Sequence, residues 1–96
     1  MAHYQLITST KFLRDLKRIK KRSPKDFSLV QKLVATLTEH GHSGLLPKHK
    51  PHRLKGNYSG YWECHVKPDL LLIWGENEEI RLLELVRTGT HTDLFE

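Results

Sequence analysis

The sequence predicts an α+β fold: an N-terminal strand and a helical hairpin packed on one face of a twisted antiparallel sheet of about four strands. Two apolar stripes lie early in the chain, Phe12, Leu13, Leu16 and Ile19, then Phe27, Val30, Leu33, Val34 and Leu37. Both repeat at the spacing of one helix face. Apolar runs of strand length follow after residue 60, joined by links so short that they suit antiparallel neighbours. The order β-α-α-β-β-β segregates the helices to one side of the sheet and leaves its other face available.

Each element has its own signal. "AHYQLIT" (2–8) alternates loosely, with His3, Gln5 and Ile7 against Tyr4 and Leu6, and reads as a first strand. Ser9 or Thr10 caps the first helix, whose apolar stripe is surrounded by Lys11, Arg14, Lys17, Arg18 and Lys21 and which stops near Arg22. Ser23 as N-cap, Pro24 at the first helical position and Asp26 in the first turn start the second helix, and Gly41 stops it. "HGHSGLLPKHKPHRLKGNYSG" (40–60) holds no sustained period and reads as a loop with a short strand near His52–Leu54. "YWECHV" (61–66), "LLLIWG" (70–75) and "IRLLELVR" (80–87) are strands, turned by "KPD" and "ENEE".

The length suits one domain, residues 1–96. With 38% apolar and 28% charged residues the chain reads as folded and soluble, and no apolar run approaches the ~20 residues of a membrane span. "MAHYQLITSTKF" lacks the basic start and apolar stretch of a signal peptide, so the expected location is the cytoplasm. Cys64 is the single cysteine, without a disulfide partner or companion thiols for a zinc site. Residues 1–55 carry 13 Lys/Arg against three acids, and residues 56–96 three against eight. The cationic half suits a polyanion, nucleic acid above all; an acidic protein partner or a merely solvated face fits the same pattern.

Strand alternation in "YWECHVKPD" puts Trp62, Cys64 and Val66 on one face and Tyr61, Glu63 and His65 on the other. The first set reads as core, so His65 projects from the open face. Asp69, just past Pro68, is placed to accept a hydrogen bond from an imidazole and fix its tautomer. On spacing alone a turn aspartate beside a surface histidine fits somewhat better. In "VRTGTHTDLFE" (86–96) Arg87 ends a strand, Thr88-Gly89-Thr90 turns the chain, and one helical turn would set His91 and Phe95 on one face. Arg87 suits a phosphate through its planar fork, His91 a proton transfer near neutrality, and Phe95 a stacked base. The plainer alternative has Phe95 plugging the end of the sheet and His91 capping a turn. Leu83 and Leu85 share strand parity with Arg87, so Arg87 reaches the open face only through a bulge or a strand end.

The loop "KHKPHRLKG" (48–56) gathers His49, Lys50, His52, Arg53 and Lys55 beside Lys48. It suits a phosphate or simple solvation. His49 and His52 lack a nearby carboxylate or thiol to complete a metal set, so no metal and no cofactor are expected. Imidazoles, a carboxylate, a guanidinium and an aromatic ring together suit metal-free RNA cleavage. One side chain takes the proton of a ribose 2′-hydroxyl, which attacks the adjacent phosphorus. Another protonates the leaving 5′-oxygen, and cations offset the charge on the phosphoryl oxygens. DNA lacks that hydroxyl.

"HRLKGNYSGYWECHVKPDLLLIW" (52–74), followed by "RTGTHTDLF" (87–95), resembles the YafQ-type branch of the RelE/ParE toxin superfamily, bacterial ribosome-dependent mRNA endonucleases paired with antitoxins. Leu70 stands where that pattern has tryptophan. The resemblance implies a catalytic groove formed by His52, His65, Asp69, Arg87, His91 and Phe95. His91 would be the general acid, and His65 with Asp69, or His52, would abstract the proton or offset phosphate charge. Arg87 would hold the scissile phosphate and Phe95 a base, with His49, Lys50, Arg53 and Lys55 along the substrate. It further implies a toxin monomeric by itself that binds an acidic, mostly helical antitoxin across residues 12–25, and mRNA with 16S rRNA at the ribosomal A site. A gyrase-inhibiting toxin of the ParE branch and a non-catalytic binding module share the scaffold and are the competing expectations.

Overall fold

A computed structural model describes residues 3–95; Met1, Ala2 and Glu96 lie outside it, and with Ala2 the first position of the expected N-terminal strand. The elements run β1 (Gln5–Thr8), α1 (Thr10–Arg22), α2 (Pro24–His40), β2 (His52–Arg53), β3 (Trp62–Lys67), β4 (Leu70–Asn77), β5 (Leu82–Gly89) and α3 (His91–Phe95). Short 3-10 turns at Pro47–His49 and Gly56–Tyr58 flank β2.

Local chemistry starts both long helices. Ser9 Oγ accepts from the Phe12 amide at 2.9 Å, and Ser23 Oγ from the Asp26 amide at 3.2 Å. Pro24 occupies the first turn of α2 with Asp26 at the positive end of its dipole. Gly41 ends it with φ +68, a value that costs a glycine little. Phe12 and Ile19 from α1 and Val30, Leu33 and Leu37 from α2 pack on Cys64, Leu70, Leu72, Trp74, Leu83 and Leu85 of the sheet.

The sheet has five strands in the order β1-β5-β4-β3-β2. β2 through β5 are antiparallel, while β1 runs parallel to β5, Gln5 opposite Leu82 through Thr8 opposite Leu85. The sheet is therefore mixed, and one strand larger than the sequence suggested. Short links dictate the directions of β3, β4 and β5, but β1 meets β5 only after the whole helical hairpin. Its alignment is set where Ser9 leaves the sheet: the Ser9 amide donates to Leu85 O (3.0 Å) and its hydroxyl to Val86 O (2.7 Å).

Two irregularities position the open face. Ile73 pairs with Arg87 but Trp74 pairs with Leu85, so Val86 is an inserted residue. This bulge carries Arg87 to the face of Leu71 and Ile73 while Leu83 and Leu85 stay in the helix-side core. A second shift, at Val66, separates the His65–Leu71 and Lys67–Leu70 pairs. The open face is partly roofed: Leu54, Tyr58 and Tyr61 from the β2–β3 segment and Leu94 from α3 cover Leu71 and Ile73.

Candidate active site

Cross-strand partners project to the same side of a sheet. His52, Glu63, Ile73 and Arg87 form one such row across β2 to β5, and His65, Leu71 and Gly89 the next. Above them runs a chain of rings. His65 and His91 have centroids 6.3 Å apart, His91 and Phe95 6.3 Å, Phe95 and Tyr58 6.3 Å, and Tyr58 and Tyr61 6.4 Å. Side chains from β2, β3, β5, α3 and the β2–β3 segment thus border one groove.

The helix that carries His91 and Phe95 is held by a reciprocal cap. The Thr90 amide donates to Asp93 Oδ2 (3.0 Å), and the Asp93 amide donates to Thr90 Oγ (3.1 Å). Arg22 of α1 donates to the same Asp93 oxygen at 2.7 Å. Burial by itself would raise the Asp93 pKa, but the Arg22 and Thr90 hydrogen bonds outweigh it and bring it down to about 2. Gly89 is required beneath this cap: its φ is +154, and a Cβ there would sit 2.9 Å from the Asp93 side chain.

Arg87 is held as firmly. Past Leu85, β5 has no β1 neighbour, and Asp15 of α1 takes the vacant edge, accepting from the Thr88 amide at 3.1 Å. The same carboxylate accepts from Arg87 Nε (2.7 Å) and NH2 (3.1 Å) and from Arg18 NH2 (2.6 Å). Asp15 is only 2% exposed, and its oxygens are fully engaged. These hydrogen bonds push the Arg87 pKa above its ordinary value against the opposing effect of burial, and the Tyr58 hydroxyl adds to the rise. Two of the five guanidinium N–H groups serve Asp15 and another is directed at the Tyr58 hydroxyl, so the remaining two are left for an anion.

The imidazoles divide by partner. His65 Nδ1 donates to Pro68 O (3.3 Å), and His91 Nδ1 faces Asp69 Oδ1 (3.3 Å). Asp69 therefore faces His91, not His65 as the resemblance implied, because the Val66 bulge and the following turn present a carbonyl to His65 instead. Both rings keep Nε2 without a protein partner among the described residues. His52 Nδ1 donates to Lys50 O (2.9 Å), and its Nε2 lies 3.2 Å from Glu63 Oε1. His49 Nδ1 donates to His65 O (2.7 Å) and so braces β3 from the neighbouring loop.

Not every expected residue joins the groove. Arg53 pairs with Trp62 and its guanidinium lies 5.4 Å from the Trp62 ring, on the helix-side face. Alternation across a two-residue strand sends it opposite to His52. Lys55 is exposed and makes no ion pair among the described residues. His49 and Lys50 border a separate cleft beside His65. Cys64 is fully buried on the core side; burial, with Glu63 adjacent, pushes its thiol up to about 12, which removes it as a nucleophile. His42, Glu76 and Glu78 bring possible metal-ligand atoms within 4.8 Å of one another, away from the groove. Glu76 there already accepts from His42 and from Trp74 Nε1.

Sequence reasoning passed over Asp15, Tyr58, Glu63 and the Thr90–Asp93 cap. The last had a readable signal, since T-x-x-D ahead of an apolar pair is a helix start. Two imidazoles with tied Nδ1 and free Nε2, beside a guanidinium fixed at its inner edge, can move protons on either side of an anion and offset its charge.

Residues 4–96 match the family described as the bacterial toxin of type II toxin-antitoxin system, YafQ. The chain is 37% identical over 87 residues to the mRNA interferase toxin YafQ of Escherichia coli K12, covering 91% of this chain and 90% of that one. It superimposes on the crystal structure of YafQ from E. coli BL21(DE3) with a TM-score of 0.86 at 32% identity, covering 97% of this chain and 99% of the other. The E. coli DinJ–YafQ complex gives 0.85 at 33% identity over 97% and 99%. The Val66 bulge, the groove histidines and the terminal R-T-G-T-H run thus sit within a match that spans nearly all of both chains, and this chain belongs to the YafQ family of type II toxin–antitoxin toxins.

Proposed function

We propose that this toxin is an endoribonuclease that cleaves mRNA in the ribosomal A site, in the cytoplasm, by attack of a ribose 2′-hydroxyl on the adjacent phosphate. The observation that carries the reading is the approach of His65 and His91 to 6.3 Å, each with Nε2 free, with the Asp15-held Arg87 in the neighbouring row of the same sheet face. A relative named as an mRNA interferase supports the substrate. In this scheme His91, oriented by Asp69, protonates the leaving 5′-oxygen. His65 or the His52–Glu63 pair takes the 2′-hydroxyl proton. Arg87 offsets the phosphoryl charge, and Phe95 with Tyr58 stacks on a base. These side chains supply acid, base and cation without a cofactor.

Side chains that tie their own partners give no strong general base, so placement of the message by the ribosome supplies part of the rate. Naked RNA is accordingly cut slowly. The antitoxin in this reading is an acidic, mostly helical chain lying over α1 along residues 12–25; that a relative forms a DinJ–YafQ complex supports the existence of a partner chain. An apolar groove lined by Leu6, Leu13, Leu16, Val34 and Leu85, beside the cations of α1, suits it.

The test is induction in cells with mapping of mRNA 5′ ends. Codon-positioned cuts that vanish in His91→Ala and Arg87→Ala support the nuclease. Toxicity with intact message and a DNA-damage response would assign a gyrase-inhibiting toxin instead, and absence of toxicity a binding module.

A further inference from the structure

A second cavity of about 470 Å³ opens beside the groove, bordered by Lys48, His49, Lys50, His65 and Lys67. Its lining contains no carboxylate. Lys67 is paired with Asp26 at 2.9 Å, whereas Lys48 and Lys50 make no ion pair among the described residues. His65 is common to both spaces: it walls this cleft and also faces His91.

The cleft is constructed rather than a chance gathering of surface lysines. His49 ties its loop to β3 through the His65 carbonyl at 2.7 Å. Lys50 holds φ +47 and ψ +55, the left-handed conformation that non-glycine residues adopt at a cost. Two bonds fix it there: its amide donates to Pro47 O (3.0 Å), and its carbonyl accepts from His52 Nδ1 (2.9 Å). One short loop therefore sets His52 into the groove and two unpaired ammonium groups at the mouth of the neighbouring cleft.

We propose that this cleft is a subsite for the phosphate of a nucleotide flanking the cut, held by Lys48 and Lys50. The inference rests on the nuclease reading above and deepens it. A strand whose scissile phosphate lies between His65 and His91 passes over His65 on its way out of the groove, and the next anion meets a concave surface lined with cations and no acid. Ammonium groups suit such a contact, since they hold a phosphate as point charges without demanding one geometry.

The test uses ribosomes programmed with messages that carry one neutral methylphosphonate linkage at successive positions on either side of the cut, leaving the cut linkage intact. Wild type, Lys48→Ala and Lys50→Gly are compared in single-turnover cleavage. Lys50→Gly removes the ammonium and relieves the left-handed backbone, so its loss of rate does not come from unfolding. Neutralising one flanking linkage slows wild type about tenfold, and Lys50→Gly slows the unmodified message about tenfold. At that linkage the two changes together are no worse than either alone, while at every other linkage they multiply. Multiplication at all linkages for both variants overturns the subsite while leaving the nuclease in place. Failure of wild type to cut the unmodified message overturns the nuclease reading and the subsite with it.

Discussion

Replacing Asp93 by Asn removes one charge and little else. Asn keeps the size and an oxygen for the Thr90 amide, so the change isolates the charge that Arg22 meets at 2.7 Å. The Asp93 carboxyl sits at about 2 in the folded protein against 3.8 ordinarily, a gap worth ~2 kcal/mol of folding stability. The Asp93 side chain is 13% exposed but its partner Arg22 is 50% exposed, so solvent screening discounts that figure to ~1 kcal/mol. Because the folded pKa is depressed, the stabilisation is complete above the unfolded value near 4 and is lost as pH falls through about 2. Urea unfolding of wild type and Asp93→Asn between about pH 6 and pH 2 measures this directly. The two proteins differ by ~1 kcal/mol at the upper end and converge towards the lower end. A difference that stays constant with pH, or none at neutrality, refutes the ion-pair account of how α3 is held. The same variant loses message cleavage beyond its loss of stability, because the loosened helix carries His91 and Phe95.

Three further outcomes follow from the geometry. His91→Gln and His65→Gln each lower cleavage ~10²–10⁴-fold with little change in stability, since His91 is exposed and His65 only half-buried; single-turnover kinetics and thermal unfolding read the two effects separately. Asp15→Ala strands the Arg87 guanidinium and the Thr88 amide, and lowers stability by ~3–5 kcal/mol in urea unfolding; a loss below ~1 kcal/mol would show that Asp15 does not clamp the edge of β5. The Cys64 thiol resists alkylation at about pH 8 until denaturant is added, and labelling of the folded protein would contradict both its burial and its raised pKa.

The helices were legible because capping and periodicity are local: Ser9, Ser23, Pro24 and Gly41 announce their ends within a few residues. The strand faces of Trp62, Cys64 and Val66 against Tyr61, Glu63 and His65 were legible for the same reason. The bulge at Val86 was required by a conflict of parity at Arg87, yet its location came only from the register with β4. Three features had no local signature. The direction of β1 depends on a partner strand at the far end of the chain. The choice of Asp69 for His91 depends on how a turn is rotated. Asp15 reads as one acid among the cations of an exposed helix, and only the missing β1 neighbour beside Thr88 turns it into a buried junction. The groove residues were named through resemblance, whereas Tyr58 and Glu63 became visible once the sheet brought them next to Phe95 and His52.

The parallel pairing of β1 with β5 also governs when this protein becomes capable of harm. Its opening strand has no mate until Leu82–Leu85 have been translated, and the Ser9–Val86 bond spans 77 positions. A nascent chain still short of that point lacks Arg87, the Val86 insertion and the helix bearing His91. Distant pairings of this kind form late and slowly. The ribosome that makes the toxin therefore finishes nearly all of it before the cutting groove exists.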